Sequence, residues 1–231
     1  MRSHNDWVWA AFGKHPVARD FIRLGSDLPI FNAFCSWVEH GFGMMRHGDK
    51  GHMNSWRFWA RGTRKSNLVC GLVRDSHDSI GRPFPCLIIG TGPLEDWEGH
   101  WHDLTLTLDE PWRAMEYLFV RNLGTIHELT GELNRLRPVR TALSEKRMVE
   151  DKDHQDIHTE PDTCKDGAWH HAVRGDDPSA DAARWMKSLS LKNSIVPNAV
   201  FLGGVPDRSF LVLFERSLMP TDFTSLWSVG V

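Results

Sequence analysis

No apolar run in this chain approaches the roughly 18 residues that a membrane-spanning helix needs. The opening Met1-Arg2-Ser3-His4-Asn5-Asp6-Trp7 has no apolar signal-peptide core, so the expected location is the cytoplasm, without membrane insertion. Cysteine is scarce: Cys35, Cys70, Cys86 and Cys164 are widely spaced and form no C-x-x-C, which argues against a disulfide framework. Three of them sit in apolar segments, where a free thiol behaves as a small hydrophobe. Net charge is only −3, and no basic stripe interleaved with aromatics appears, so nucleic acid is not an expected partner. There is one tyrosine against 11 tryptophans. The tryptophans are expected in the core and at its edges, with some available as contact anchors.

Catalytic signatures are missing as well. The chain has no G-x-S-x-G elbow, no H-E-x-x-H and no P-loop spacing around Lys14. Ile89-Gly90-Thr91-Gly92-Pro93 is a lone G-x-G without its third glycine, and Pro93 removes an N–H donor, which argues against dinucleotide binding. Cys164 with His170 or His171 imitates a Cys–His pair, but nothing positions an oxyanion hole. No enzyme activity and no cofactor are expected.

What is present is an ordinary globular composition, with 41% apolar and 25% charged residues in 231, enough for one large domain or two small ones. Charge is uneven. Glu150 to Asp181 carries ten acidic and three basic residues, which leaves a mildly basic remainder. Residues 144–181 therefore read as a mobile acidic insertion in a single domain spanning 1–231, ordered only in part around Trp169.

Strands are expected at Trp7 to Phe12, Trp56 to Ala60, Leu68 to Val73, Phe84 to Ile89, Ala199 to Gly203 and Phe210 to Phe214. The second and third form a hairpin through Arg61 to Asn67, and the late pair joins the early sheet. Asp27-Leu28-Pro29 opens a helix, with Asp27 as N-cap and Pro29 in the first turn, that Gly41 and Gly43 end. Glu95 to Leu108 reads as helical. The strongest helical period runs from Glu110 to Arg137, weakened by Gly124 and Gly131 and stopped by Pro138. Asp181 to Leu191 and a short segment from Thr221 complete the helices. Strands early and late with helices between them point to a layered α/β fold.

The densest chemistry lies in Ser76-His77-Asp78-Ser79-Ile80-Gly81-Arg82-Pro83-Phe84-Pro85, a turn between two apolar runs. Asp78 and Arg82 form either a charge pair presented to a partner or a structural turn, with Asp78 accepting backbone hydrogen bonds. Gly13-Lys14-His15-Pro16 with Asp20 and Arg23 is a second constellation. Lys14, Arg23 and Arg82 are also open to reading as an anion cluster of a small-ligand or phosphate-binding enzyme. His154, His158, Cys164, His170 and His171 offer ligand types for zinc, but on an acidic stretch with unequal gaps, and no metal is expected.

These residues resemble the TagF (ImpM) family of type VI secretion-associated proteins. Phe12-Gly13-Lys14-His15-Pro16 followed by Asp20-Phe21-Ile22-Arg23 is similar to that family's opening, although Arg19 stands where the family has glycine. Trp37 falls where it has helix tryptophans, and Trp56-Arg57-Phe58 is similar to its W-R-F strand. The segment from Ser76 to Pro85 resembles its S-x-D-x-[VI]-G-R-x-F-P signature. Asn198 to Gly204 and Leu218 to Phe223 look like its C-terminal strand and closing helix. The resemblance implies a three-layer α-β-α sandwich, here expected with a mixed sheet. It also implies a post-translational repressor of type VI secretion that binds a forkhead-associated-domain scaffold protein. Lys14, Asp20, Arg23, Asp78, Gly81 and Arg82 are the expected partner-binding or motif residues.

Overall fold

The structure is a computed structural model that describes residues 7–45, 53–139, 164–175, 177–192 and 195–229. Its strands are β1 (Val8–Gly13), β2 (Ile22–Gly25), β3 (Ser55–Arg61), β4 (Asn67–Arg74), β5 (Cys86–Pro93), β6 (Cys164–Lys165), β7 (Ala168–Ala172), β8 (Ala199–Val205) and β9 (Arg208–Phe214). They form one sheet in the order β2-β1-β5-β4-β3-β8-β9-β7-β6. The expected mixed sheet is corrected: every pairing between these strands is antiparallel. A parallel pair needs a long crossover, usually a helix. Here the sequence neighbours β1–β2, β3–β4, β4–β5 and β8–β9 are joined by loops that return the chain directly.

The sheet is apolar on both faces, and alternate residues sort to opposite sides. Trp59, Leu68, Cys70, Leu72 and Ile88 meet one core; Trp56, Phe58, Val69, Val73 and Ile89 meet the other. On the second face lie α1 (Pro29–Met44) and a C-terminal helix, Pro220–Ser228, which contribute Phe31, Phe34, Trp37, Phe223 and Trp227. The first face is covered by a 3₁₀ segment, Trp97–Asp103, and by α2 (Leu104–Thr107), α3 (Asp109–Val120), α4 (Ile126–Leu133) and α5 (Pro178–Lys192); the C-terminal helix is then α6. The three layers are thus helices, sheet, helices, as expected of an α-β-α sandwich.

Several local expectations change. The single helix at Glu110 to Arg137 is two, because Thr125 caps a new start: its hydroxyl accepts the Glu128 N–H at 3.2 Å while Glu128 accepts the Gly124 N–H at 2.8 Å. Asp27 does not cap α1; Leu28 occupies that position, with Pro29 opening the helix. Residues 144–163 and 176 of the acidic insertion lie outside the described residues, but 164–172 supplies β6 and β7 at the sheet edge. Gly90 and Gly92 belong to β5 itself. A Cβ there would lie 2.2 Å from the Trp9 ring and 2.5 Å from the Trp7 ring, so the glycines make room for stacked indoles.

Gly41 and Gly43 do not end α1, which continues to Met44, and they differ in surroundings. A Cβ on Gly41 would sit 2.3 Å from Phe223 of α6, whereas nothing lies within 4 Å of one on Gly43. Gly41→Ala is expected to lower unfolding free energy by about 1–3 kcal/mol through overpacking. Gly43→Ala should be neutral or gain up to about 1 kcal/mol from helix propensity. Urea unfolding followed by tryptophan fluorescence measures both; equal effects would contradict the α1–α6 packing.

Candidate functional site

The signature segment is the loop that turns β4 back into β5. Its neck is held by a bridge between His77 and Pro83 and by the Phe84 N–H donating to the Ser76 carbonyl at 3.0 Å. At the tip the Gly81 N–H donates to the Asp78 carbonyl at 3.0 Å, with Gly81 at φ +83°, a conformation that favours glycine. The Asp78 side chain fills the inside of this turn and is fully buried. One carboxylate oxygen accepts the N–H groups of Ile80 (3.2 Å) and Arg82 (2.9 Å). The other accepts Arg82 Nε at 2.6 Å and lies 3.1 Å from Lys14 Nζ.

Lys14 arrives from the end of β1. Gly13 precedes it at φ +111°, where a Cβ would fall 2.0 Å from the Pro85 carbonyl oxygen, so the two motifs pack backbone to backbone. The Lys14 side chain is buried, and its ammonium lies 5.2 Å from the centre of the Phe21 ring. The loops are stapled further: the Ser79 N–H donates to the Ala18 carbonyl at 2.7 Å, and Arg82 Nη2 donates to the Arg19 carbonyl at 2.6 Å. Arg19, where the family has glycine, is not at positive φ. His15 is buried; its Nδ1 accepts the Val17 N–H at 3.2 Å, which leaves Nε2 to donate toward the Leu118 carbonyl at 3.4 Å.

The structure therefore brings together Lys14, Asp78, Gly81 and Arg82, with the exposed Asp20 carboxylate 3.7 Å from Arg82. Arg23 stands apart on β2, where it donates to Asn32 and reaches Asp27 at 3.5 Å. Lys14, Arg23 and Arg82 thus do not form one free cation cluster: Lys14 and Arg82 share Asp78, and Arg23 is engaged elsewhere. Outward, the loops present half of the Arg82 side chain, together with Phe21 and Ile80 at 49% and 59% exposure.

Two further ionic hubs escaped the sequence reading. Arg57, from the middle of the W-R-F strand, gives Nε and Nη2 to Glu116 at 2.6 and 2.8 Å and Nη1 to Asp109 at 3.1 Å. Arg216 forks onto the buried Asp222 of α6 at 2.7 and 2.8 Å. An arginine inside an apolar strand was the available signal for the first, since a half-buried cation needs partners. Of the histidine set, His154 and His158 lie outside the described residues, and His171 stacks on Trp185 at 5.0 Å. No group of three or more metal-ligand side chains occurs among the described residues. Cys35, Cys70 and Cys86 are buried thiols, and burial pushes Cys86 up to about 12.

With the geometry in place, the fold is a three-layer α-β-α domain whose β4–β5 loop is organised by a buried aspartate. Residues 10–136, more than half of the chain, match the family described as the TagF N-terminal domain, type VI secretion system-associated, and the chain belongs to that family. Among solved structures it is similar to PA0076 of Pseudomonas aeruginosa PAO1, at 22% identity and TM-score 0.43. That match covers 56% of this chain and 63% of that one, so the chain spans under two thirds of its structural relative. No curated protein matches the chain. Among the described residues, no helix is long and apolar enough to cross a membrane.

Burial alone would raise the Asp78 pKa, but the donors from Arg82, Lys14 and Ile80 outweigh it and hold the carboxyl well below its ordinary 3.8. Burial also lowers His15 below 6.5, against the opposing Leu118 carbonyl. Each shift means that the unfolded chain takes up the proton first as pH falls. His15 therefore removes stability as pH drops below 6.5. Asp78 contributes fully above its ordinary value and loses that contribution as pH falls from there through its folded value. Asp78→Asn should lower the thermal midpoint at pH 7 and flatten its decline below about pH 4, while leaving the decline that starts near 6.5. An unchanged acid limb in the variant would remove Asp78 as its source.

Proposed function

We propose that this chain is a non-enzymatic regulator, a cytoplasmic post-translational repressor of type VI secretion that acts by binding a forkhead-associated-domain scaffold protein. The observation that carries the placement is the contrast within the signature loop. Asp78, Lys14 and Gly81 are consumed in holding the turn, while Arg82, Asp20, Phe21 and Ile80 reach outward beside one another. Rigid loops that expose large apolar groups next to a guanidinium have the composition of an interface centre rimmed by charge. Arg23 is exposed on the edge strand β2, apart from these groups.

The non-enzymatic reading rests on the same accounting, because the charged residues of the family motifs are spent on internal pairs. Residues 1–231 act as a single domain, with the acidic segment as an insertion whose C-terminal part joins the sheet.

Ile80→Asp tests the surface without touching the buried carboxylate. Isothermal titration of the full chain against purified scaffold should show affinity reduced at least about tenfold by Ile80→Asp and by Arg82→Ala. Circular dichroism should be unchanged for Ile80→Asp. Equal affinity in wild type and both variants would move the interface elsewhere, and no binding by wild type would overturn the partner.

A further inference from the structure

A cleft of about 570 Å³ opens between α3, the start of α5 and the ends of β3, β4, β8 and β9. It shares no lining residue with the surface assigned to the protein partner, and its size is that of a small-ligand site, about 300–1,000 Å³. Its lining carries three arginines, Arg57, Arg74 and Arg113, and three carboxylates, Asp109, Glu116 and Asp177.

Most of this charge is already satisfied. Arg57 occupies both Glu116 oxygens and one of Asp109, and Arg113 Nε takes the other Asp109 oxygen at 2.8 Å. Asp177 caps α5 by accepting the Ala180 N–H at 3.1 Å. Two groups remain. Arg74 meets no carboxylate among the described residues; its guanidinium rests 4.9 Å from the Phe119 ring centre and reaches Met53 Sδ at 3.1 Å. Ser179, 7% exposed, is the second residue of the 15-residue α5, and its hydroxyl makes no hydrogen bond among the described residues. The Ser179 carbonyl accepts Thr105 Oγ1 at 3.3 Å, which ties the helix start to α2.

A hydroxyl without a hydrogen-bond partner and a guanidinium without an anion open on one cavity, beside a helix start that Asp177 already caps. We propose that this cleft binds a small organic anion whose phosphate or carboxylate group is held by Arg74 and Ser179. The saturated carboxylates around it disfavour a polyanion, so the ligand carries one compact anionic group on a body that forms neutral hydrogen bonds. Motif residues meet here too, since Arg57 of the W-R-F strand and Gly203 and Gly204 of the late strand line the same cleft.

The test uses the full chain at constant ionic strength. Inorganic phosphate is titrated by ³¹P line broadening and acetate by saturation-transfer proton spectra. Saturable binding of phosphate, acetate or both is expected, and the stronger probe names the anionic group. Arg74→Gln should weaken it about tenfold and Ser179→Ala about threefold, from the loss of a charged and a neutral hydrogen bond respectively. Arg64→Gln, in the exposed β3–β4 turn at the far end of those strands, should leave it unchanged. Ser179→Ala removes one oxygen atom, so it stays informative if Arg74→Gln fails to fold. No saturable binding of either probe, or binding that Ser179→Ala leaves intact, would overturn the proposal.

Discussion

The organisation of this molecule's functional end depends on one buried carboxylate. Asp78 is fully removed from water, and burying a charge is costly unless it is paired and hydrogen-bonded. The need to satisfy it determines where Lys14 and Arg82 go. It also determines the path of the β4–β5 loop, whose N–H groups must point inward. Through Lys14 it ties down the loop that follows β1, which brings Asp20 and Phe21 beside Ile80. A neutral residue in that position would leave two cations and two backbone donors without a common acceptor.

The same logic recurs at lower burial. Arg57 clamps α3 to the sheet through Asp109 and Glu116, and Arg216 clamps α6 through Asp222. Indole N–H groups do similar service: Trp112 donates to the Phe58 carbonyl, Trp227 to Asp75 and Trp37 to the Met219 carbonyl. Apolar burial on both sheet faces supplies the driving force, and these directional contacts select the orientation in which each helix packs. The abundance of tryptophan over tyrosine thus has a structural use, since each indole brings a large apolar area and a single donor.

Much of this was legible along the chain. Alternating or continuous apolar runs marked six of the strands, and the polar link at residues 61–67 marked a hairpin. The motif residues marked the turn that proved to contain Asp78. What failed were judgements about punctuation. Gly41 and Gly43 read as a helix end, and the strand was expected to stop at Ile89, before Gly90 and Gly92, yet Gly41, Gly90 and Gly92 answer to a ring packed against them from elsewhere in the chain. The continuous apolar period from Glu110 to Arg137 hid a helix break, because both helices bury their stripes against one core. The short strand β2 went unseen, since four residues carry too little period to register.

The sequence by itself determined the class of fold, the position of six of the strands, the turn chemistry of the signature and the family. These follow from local pattern, which acts over a few residues. The antiparallel order of the sheet, the separation of Arg23 from Lys14 and Arg82, the internal use of Asp78 and the cleft around Arg74 and Ser179 were decided only by the tertiary structure. Each depends on which groups lose water together and which partners then lie within hydrogen-bond reach. That pairing joins positions as distant as 14 and 78 or 57 and 116, and no local propensity encodes it.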